Sequence, residues 1–257
     1  MELHGFITDM QGKYVEHALN RGIILPAEKR FASRHLSDNI LRAGWMDEDS
    51  DTTNSGEYDY VNKEVRISPV FEPLFVSRNS VPLAGVTKLT TVAFHEIGHA
   101  FEYDHREPAS PLMQTNGIGD NLCETINSMA EVMTAMSYFK SGEQSGVKGA
   151  RLVMGKNTKG LKLEIQGERE TWAHNVAFAE FYPELIQIIK SLGYDNPVPV
   201  IRAATVFNKN QLGDIPAEFD ALYKSYSGDG NLRLKTKELV PLTPKDCRQF
   251  IEAINII

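Results

Sequence analysis

Residues 87–103 read Thr87-Lys88-Leu89-Thr90-Thr91-Val92-Ala93-Phe94-His95-Glu96-Ile97-Gly98-His99-Ala100-Phe101-Glu102-Tyr103. Apolar Leu89, Val92, Ile97 and Phe101 recur at helical spacing, so the stretch is expected to form one helix with an apolar side. His95 and His99 stand four residues apart on it, and side chains at that spacing project from one face a turn apart. Two imidazole nitrogens so placed can meet one tetrahedral zinc ion at about 2.0–2.1 Å. Glu96 follows the first histidine, where a carboxylate can reach a water on the metal without taking a ligand position itself. Three fixed residues in five also arise by chance; the apolar run Val92-Ala93-Phe94 just ahead of them favours a built site.

Two histidines do not complete a catalytic zinc site, which needs a third protein ligand and an open position. His105, six residues after His99, stands where metzincins carry their third histidine, with Met113 beyond it. That arrangement needs a glycine's conformational freedom at position 102, and Glu102, a helix former, does not supply it. Glu124 falls on a second expected helix, from Asn121 as N-cap to about Lys140. Leu122, Ile126, Met129, Met133 and Met136 line that helix at helical spacing, the methionines reading as core filler. Glu131, one heptad after Glu124, shares nearly the same face, so one carboxylate could bind the metal while the other orients a histidine through its free ring nitrogen. Two solvent-facing acids are the plainer alternative. Glu170 is the third candidate, in Gly167-Glu168-Arg169-Glu170-Thr171-Trp172-Ala173-His174, where it shares a helical face with His174. The order of preference is Glu124, Glu170, His105.

The segment His95-Glu96-Ile97-Gly98-His99-Ala100-Phe101 resembles the zinc helix of gluzincin peptidases related to thimet oligopeptidase and carboxypeptidase Taq. Glu124-Thr125-Ile126-Asn127-Ser128-Met129-Ala130-Glu131 is similar to the helix that carries the third ligand in those families. The resemblance implies a zincin-like core, Glu124 as third ligand, Glu131 as the group behind a ligand, and peptide hydrolysis. It covers about 40 of the 257 residues and concerns the catalytic core rather than substrate range, since those families are much larger.

On this reading Zn2+ is held by His95, His99 and Glu124, and Glu96 is the base that takes a proton from water and passes it to the leaving amine. The developing oxyanion calls for a further donor, for which His174 and Tyr182 are candidates; packing or simple hydrogen bonding is the common role for such residues. The strand around Glu64–Ser68 would offer an edge to an extended peptide. Two other functions stay open: a non-catalytic zinc-stabilised module that binds a partner, and a metal-dependent hydrolase of a non-peptide bond. An intact Glu96 favours catalysis, because metal retention alone does not need it.

The rest of the chain sets the frame. Its expected class is α+β, mostly helical, with a small sheet near the front. A helix is predicted from Pro26 to about Ala43, with Phe31, Ile40 and Leu41 on its buried side and Gly44 as its stop. A hairpin is predicted over residues 57–68 around Asn62-Lys63. Residues 1–140 are expected as the catalytic core, 141–160 as a mobile linker or lid, and 161–257 as a helical part completing the cleft. Within the last, a long helix over about 161–191 kinked near Pro183, shorter ones near 200–207 and 215–226, and one started by Thr243-Pro244 are predicted.

Net charge of -7 without a basic run argues against a nucleic-acid footprint. The run Asp47-Glu48-Asp49-Ser50-Asp51 lacks the spacing of an EF-hand and reads as a solvated acidic loop. No apolar stretch is long enough for a membrane span, and the start of the chain carries no signal-like pattern. Cys123 and Cys247 make no disulfide framework, so a cytoplasmic setting is expected. The partner expected is a peptide or protein substrate; oligomeric state is not legible.

Overall fold

A computed structural model describes residues 2–39, 42–47, 54–76, 82–102, 118–155, 160–169, 171–176, 182–205 and 242–256. Among the described residues the chain is α+β, mostly helical, with two three-stranded sheets. It divides into two compact units: Met1–Phe101 with Ala130–Ala150 and Glu164–His174, and Glu102–Met129 with Arg151–Leu163 and Asn175–Ile257.

The first unit opens with α1 (Leu3–Asn20), a helix the sequence analysis did not identify. Its buried Leu3, Phe6, Ile7, Met10, Tyr14, Val15 and Ala18 fall at helical spacing. A single 3-10 turn, Pro26–Glu28, leads into α2 (Lys29–Asn39). Glu28 folds back so that its carboxylate accepts from Leu25 N at 2.7 Å, satisfying a donor that the helix start would orphan. The helix stops short of the predicted Ala43, because Arg42–Trp45 instead forms strand β1. Its buried side is Ala32 and Leu36, whereas Phe31 is 56% exposed; Ile40 and Leu41 lie outside the described residues.

Strand β2 (Gly56–Asp59) and strand β3 (Glu64–Ile67) form the predicted hairpin, with Lys63 turning the chain at φ 52°. Strand order is β1-β3-β2, with β1 parallel and β2 antiparallel to β3. The Glu64–Ser68 strand is therefore central and not the expected edge. The physical reason is that the backbone of β3 is paired on both sides, by β1 and by β2, while α4 packs on the sheet and Val65 and Ile67 are fully buried. Side chains alternate across the pleat. Gly56, Tyr58, Val65 and Ile67 share one face, and Glu57, Asp59, Glu64 and Arg66 the other.

After the 3-10 turn Pro69–Phe71 and the short α3 (Pro73–Val76), helix α4 runs Leu83–His99 behind Pro82, a turn earlier than predicted. It packs on α1 and on the first sheet. Aromatic rings form the floor under it: Tyr14 lies edge-on to Phe94 at 5.8 Å and stacks on Phe101 at 5.4 Å. At its C-terminus His35 Nε2 donates to Ala100 O at 2.6 Å, and burial pushes the His35 pKa down. A carbonyl that the helix end would leave orphaned is thereby satisfied, and α4 ends at His99 rather than continuing through Glu102.

Helix α5 (Ile118–Ser141) matches its prediction closely. From Thr125 to Phe139 it is buried on all sides except at Ser137, as expected of a helix enclosed by other elements. Residues 141–160 do not form a plain linker: strand β4 (Val147–Met154) lies there. Nor is there a long helix over 161–191. Strands β5 (Leu161–Gly167) and β6 (Thr171–Asn175) complete a sheet of order β4-β5-β6. Leu161, Leu163 and Ile165 are buried alternately, and that period of two selects a strand.

The second unit also holds α6 (Tyr182–Ser191), α7 (Val198–Ala203) and α8 (Pro244–Ile256). The predicted start of α8 is realised: Asp246 Oδ2 accepts from Thr243 N at 2.7 Å and from Thr243 Oγ1 at 2.8 Å. The helix predicted near 215–226 lies outside the described residues. Among the described residues no helix is long and apolar enough to cross a membrane.

Candidate metal centre

His95 and His99 lie at the C-terminal end of α4 with their Nε2 atoms 3.1 Å apart. Their rings stand nearly perpendicular, at 87°. Two nitrogens bound tetrahedrally to one ion at about 2.0–2.1 Å would lie roughly 3.4 Å apart, so the pair is close to the separation a shared ion requires. A carboxylate oxygen of Glu124 completes the group. Its ligand atom and those of both histidines all lie within 4.8 Å of one another. Two imidazoles and one carboxylate are a donor set suited to a divalent transition metal, and these three side chains could hold one.

The remaining nitrogen of each ring is also engaged. His95 Nδ1 lies 3.1 Å from Glu131 Oε2, and His99 Nδ1 lies 3.2 Å from the Tyr60 hydroxyl. Glu131 and Glu124 are two turns apart on one continuous helix, about 10.5 Å along its axis. His99 is 6% exposed and Glu96 5%, so the histidine and the neighbouring acid are largely withdrawn from solvent.

Glu96 packs under strand β2. A Cβ built on Gly56 would fall 2.7 Å from Val92 Cγ1 and 3.1 Å from both Cγ and Oε1 of Glu96. Only a glycine allows this strand to approach the helix so closely.

The other residues singled out from the sequence are placed as follows. His174 is on β6, with Nε2 3.4 Å from Thr87 Oγ1. Thr87 precedes His95 by eight residues, about 12 Å along α4, so His174 is not brought to the histidine pair. Burial, with Lys88 adding to it, pushes its pKa down. Tyr182 is buried on α6, where its hydroxyl is hydrogen-bonded to Cys247; burial raises its pKa. His105 and Glu170 lie outside the described residues.

Three residues at or beside the centre were not singled out as functional from sequence: Tyr60, Gly56 and His35. The alternation Gly56, Tyr58, Tyr60 leading into the hairpin turn was the available signal, since residues two apart on a strand share a face. Nothing in the sequence around His35 marks it. No protein-family model, curated protein or solved structure matches this chain.

Proposed function

We propose that this chain is a zinc-dependent metallopeptidase of gluzincin type. The observation that carries the reading is the grouping of His95, His99 and Glu124, whose ligand atoms all lie within 4.8 Å of one another, on a helix whose Glu96 is buried. His95, His99 and Glu124 would hold the metal. When bound, zinc would acidify a water and polarise a peptide carbonyl. The carboxylate of Glu96 would accept a proton from the attacking water and deliver it to the leaving amine nitrogen. Glu131 accepts from His95 Nδ1–H, which fixes the tautomer that turns the Nε2 lone pair to the metal. The net charge of -7 and the absence of a basic run favour a peptide or protein substrate over nucleic acid.

Elemental analysis of purified wild type, E124A and E96Q, combined with hydrolysis of a mixed peptide library, tests the reading. Zinc in wild type, loss of zinc in E124A, and retained zinc without hydrolysis in E96Q are the expected results. A wild type that takes up no zinc after reconstitution would overturn the reading. If E96Q hydrolysed peptides as fast as wild type, the metal would stand but Glu96 would not be the base.

A further inference from the structure

We infer that Tyr60 is a positioning residue for His99, and that the turn between β2 and β3 is built to hold it there. The inference rests on the metal reading above and deepens it by naming the group behind the second histidine.

With Nε2 turned to a metal, the proton of a neutral imidazole sits on Nδ1 and needs an acceptor. The Tyr60 phenol oxygen lies 3.2 Å from His99 Nδ1. His95 Nδ1 meets a carboxylate at 3.1 Å, whereas His99 Nδ1 meets a hydroxyl. A hydroxyl can accept or donate, whereas an ionised carboxylate only accepts. It orients the ring without bringing a further negative charge to a group that already contains Glu124, Glu131 and Glu96.

The turn is held on both sides of Tyr60. Asp59 Oδ1 accepts from the backbone N–H groups of Val61 and Asn62, each at 2.9 Å. Its Oδ2 accepts from Asn62 Nδ2 at 2.8 Å and from Arg66 Nη2 at 2.7 Å. Arg66 binds Glu57 at 3.1 Å and Glu64 at 3.0 Å as well, tying both strands together on the outer face. On the inner side the Tyr58 ring meets the Tyr60 ring edge-on at 4.9 Å. An Asx turn of this kind is also a general way to close a hairpin. What exceeds that need is an aromatic residue whose hydroxyl ends on a ring nitrogen of α4.

Packing and positioning are separable, because Y60F keeps the ring and removes only the oxygen. The full-length chain is stripped of metal and titrated with zinc against a chromophoric chelator, as wild type, Y60F and D59A. Histidine labelled with nitrogen-15 reports the His99 Nδ1–H proton in the zinc-loaded protein, and melting of the metal-free proteins controls for folding.

Y60F is expected to bind zinc about tenfold more weakly, to lose the slowly exchanging His99 Nδ1–H signal, and to melt with the wild type when metal-free. D59A, which loosens the turn without touching the phenol, gives a smaller loss in the same direction and carries the test alone if Y60F does not fold. Equal zinc affinity in Y60F and wild type, with the Nδ1–H signal intact, overturns the inference and leaves the metal site standing. Failure of the wild type to bind zinc overturns both.

Discussion

Glu131 Oε2 lies 3.1 Å from His95 Nδ1 across 36 residues of sequence, joining the end of one buried helix to the middle of another. On the proposed reading this contact would place the proton on Nδ1 and leave Nε2, which lies 3.1 Å from His99 Nε2, for the metal. E131A removes that acceptor, and zinc affinity is expected to fall by about 10- to 100-fold. E131Q keeps an oxygen that can accept from Nδ1–H and should lose less. Chelator competition ranks the three proteins, and equal losses in E131A and E131Q would show that charge, not orientation, is what Glu131 supplies.

On the proposed reading, Gly56 allows metal binding and the role of Glu96 to be tested separately. An alanine Cβ there would press on Val92 and on the Glu96 carboxylate at 3.1 Å or less. Displacing a catalytic group by about 1 Å can cost on the order of 100-fold in rate. G56A is therefore expected to lower peptide turnover by about 10- to 100-fold while bound zinc stays the same. G12A is the control: no atom lies within 4 Å of the added methyl, and replacing a glycine inside α1 should stabilise the fold by about 0.5–1 kcal/mol. Zinc analysis, turnover and urea melts on the two variants check both statements.

The parts of this molecule that could be read from sequence are those where one local rule acts alone. His95-Glu96-Ile97-Gly98-His99 announces itself by spacing, and the helix bearing Glu124 by its leucine, isoleucine and methionine periodicity. The start of α8 follows from Thr243, Pro244 and Asp246 within one turn. The failures come from two sources. Leu161-Lys162-Leu163-Glu164-Ile165 alternates, yet the helix-forming composition of the residues around it dominated, so β5 and β6 were read as helix. Tyr60 and His35 act through partners 39 and 65 residues away. No local pattern encodes such a contact, because it depends on how α4, the hairpin and α2 pack. Strand β1 was missed for the same reason: Arg42-Ala43-Gly44-Trp45 becomes a strand by pairing with β3, and a short run containing glycine has little strand propensity of its own.

His35 holds the end of α4, the helix that carries His95 and His99. Its Nε2–H satisfies the Ala100 carbonyl at 2.6 Å, and its ring stacks on Phe101 at 5.7 Å. H35A leaves a carbonyl at a helix end without its donor and removes the stacked ring. The expected cost is about 1–3 kcal/mol in urea-induced unfolding. Because His99 is the last residue of α4, fraying there should also weaken zinc binding. A variant that loses stability but binds zinc like wild type would show that the helix end does not depend on this cap.

Asp246 supplies the pH dependence of the second unit. The Lys190 ammonium, at 2.8 Å, and the N–H and hydroxyl of Thr243 hold its pKa down, from 3.8 to about 2. A carboxyl depressed in the folded state contributes stability that is complete above its unfolded pKa and disappears as pH falls through the folded one. The contribution of Asp246 should thus be constant from neutral pH down to about pH 4 and vanish towards pH 2. D246N keeps the size of the side chain and removes the charge. The melting temperatures of wild type and D246N are expected to differ most above pH 4 and to converge as pH approaches 2, in scans run at matched ionic strength. A gap of the same size at pH 6 and pH 2 would mean that the side-chain hydrogen bonds at the start of α8, and not the ionised pair with Lys190, are what the substitution removes.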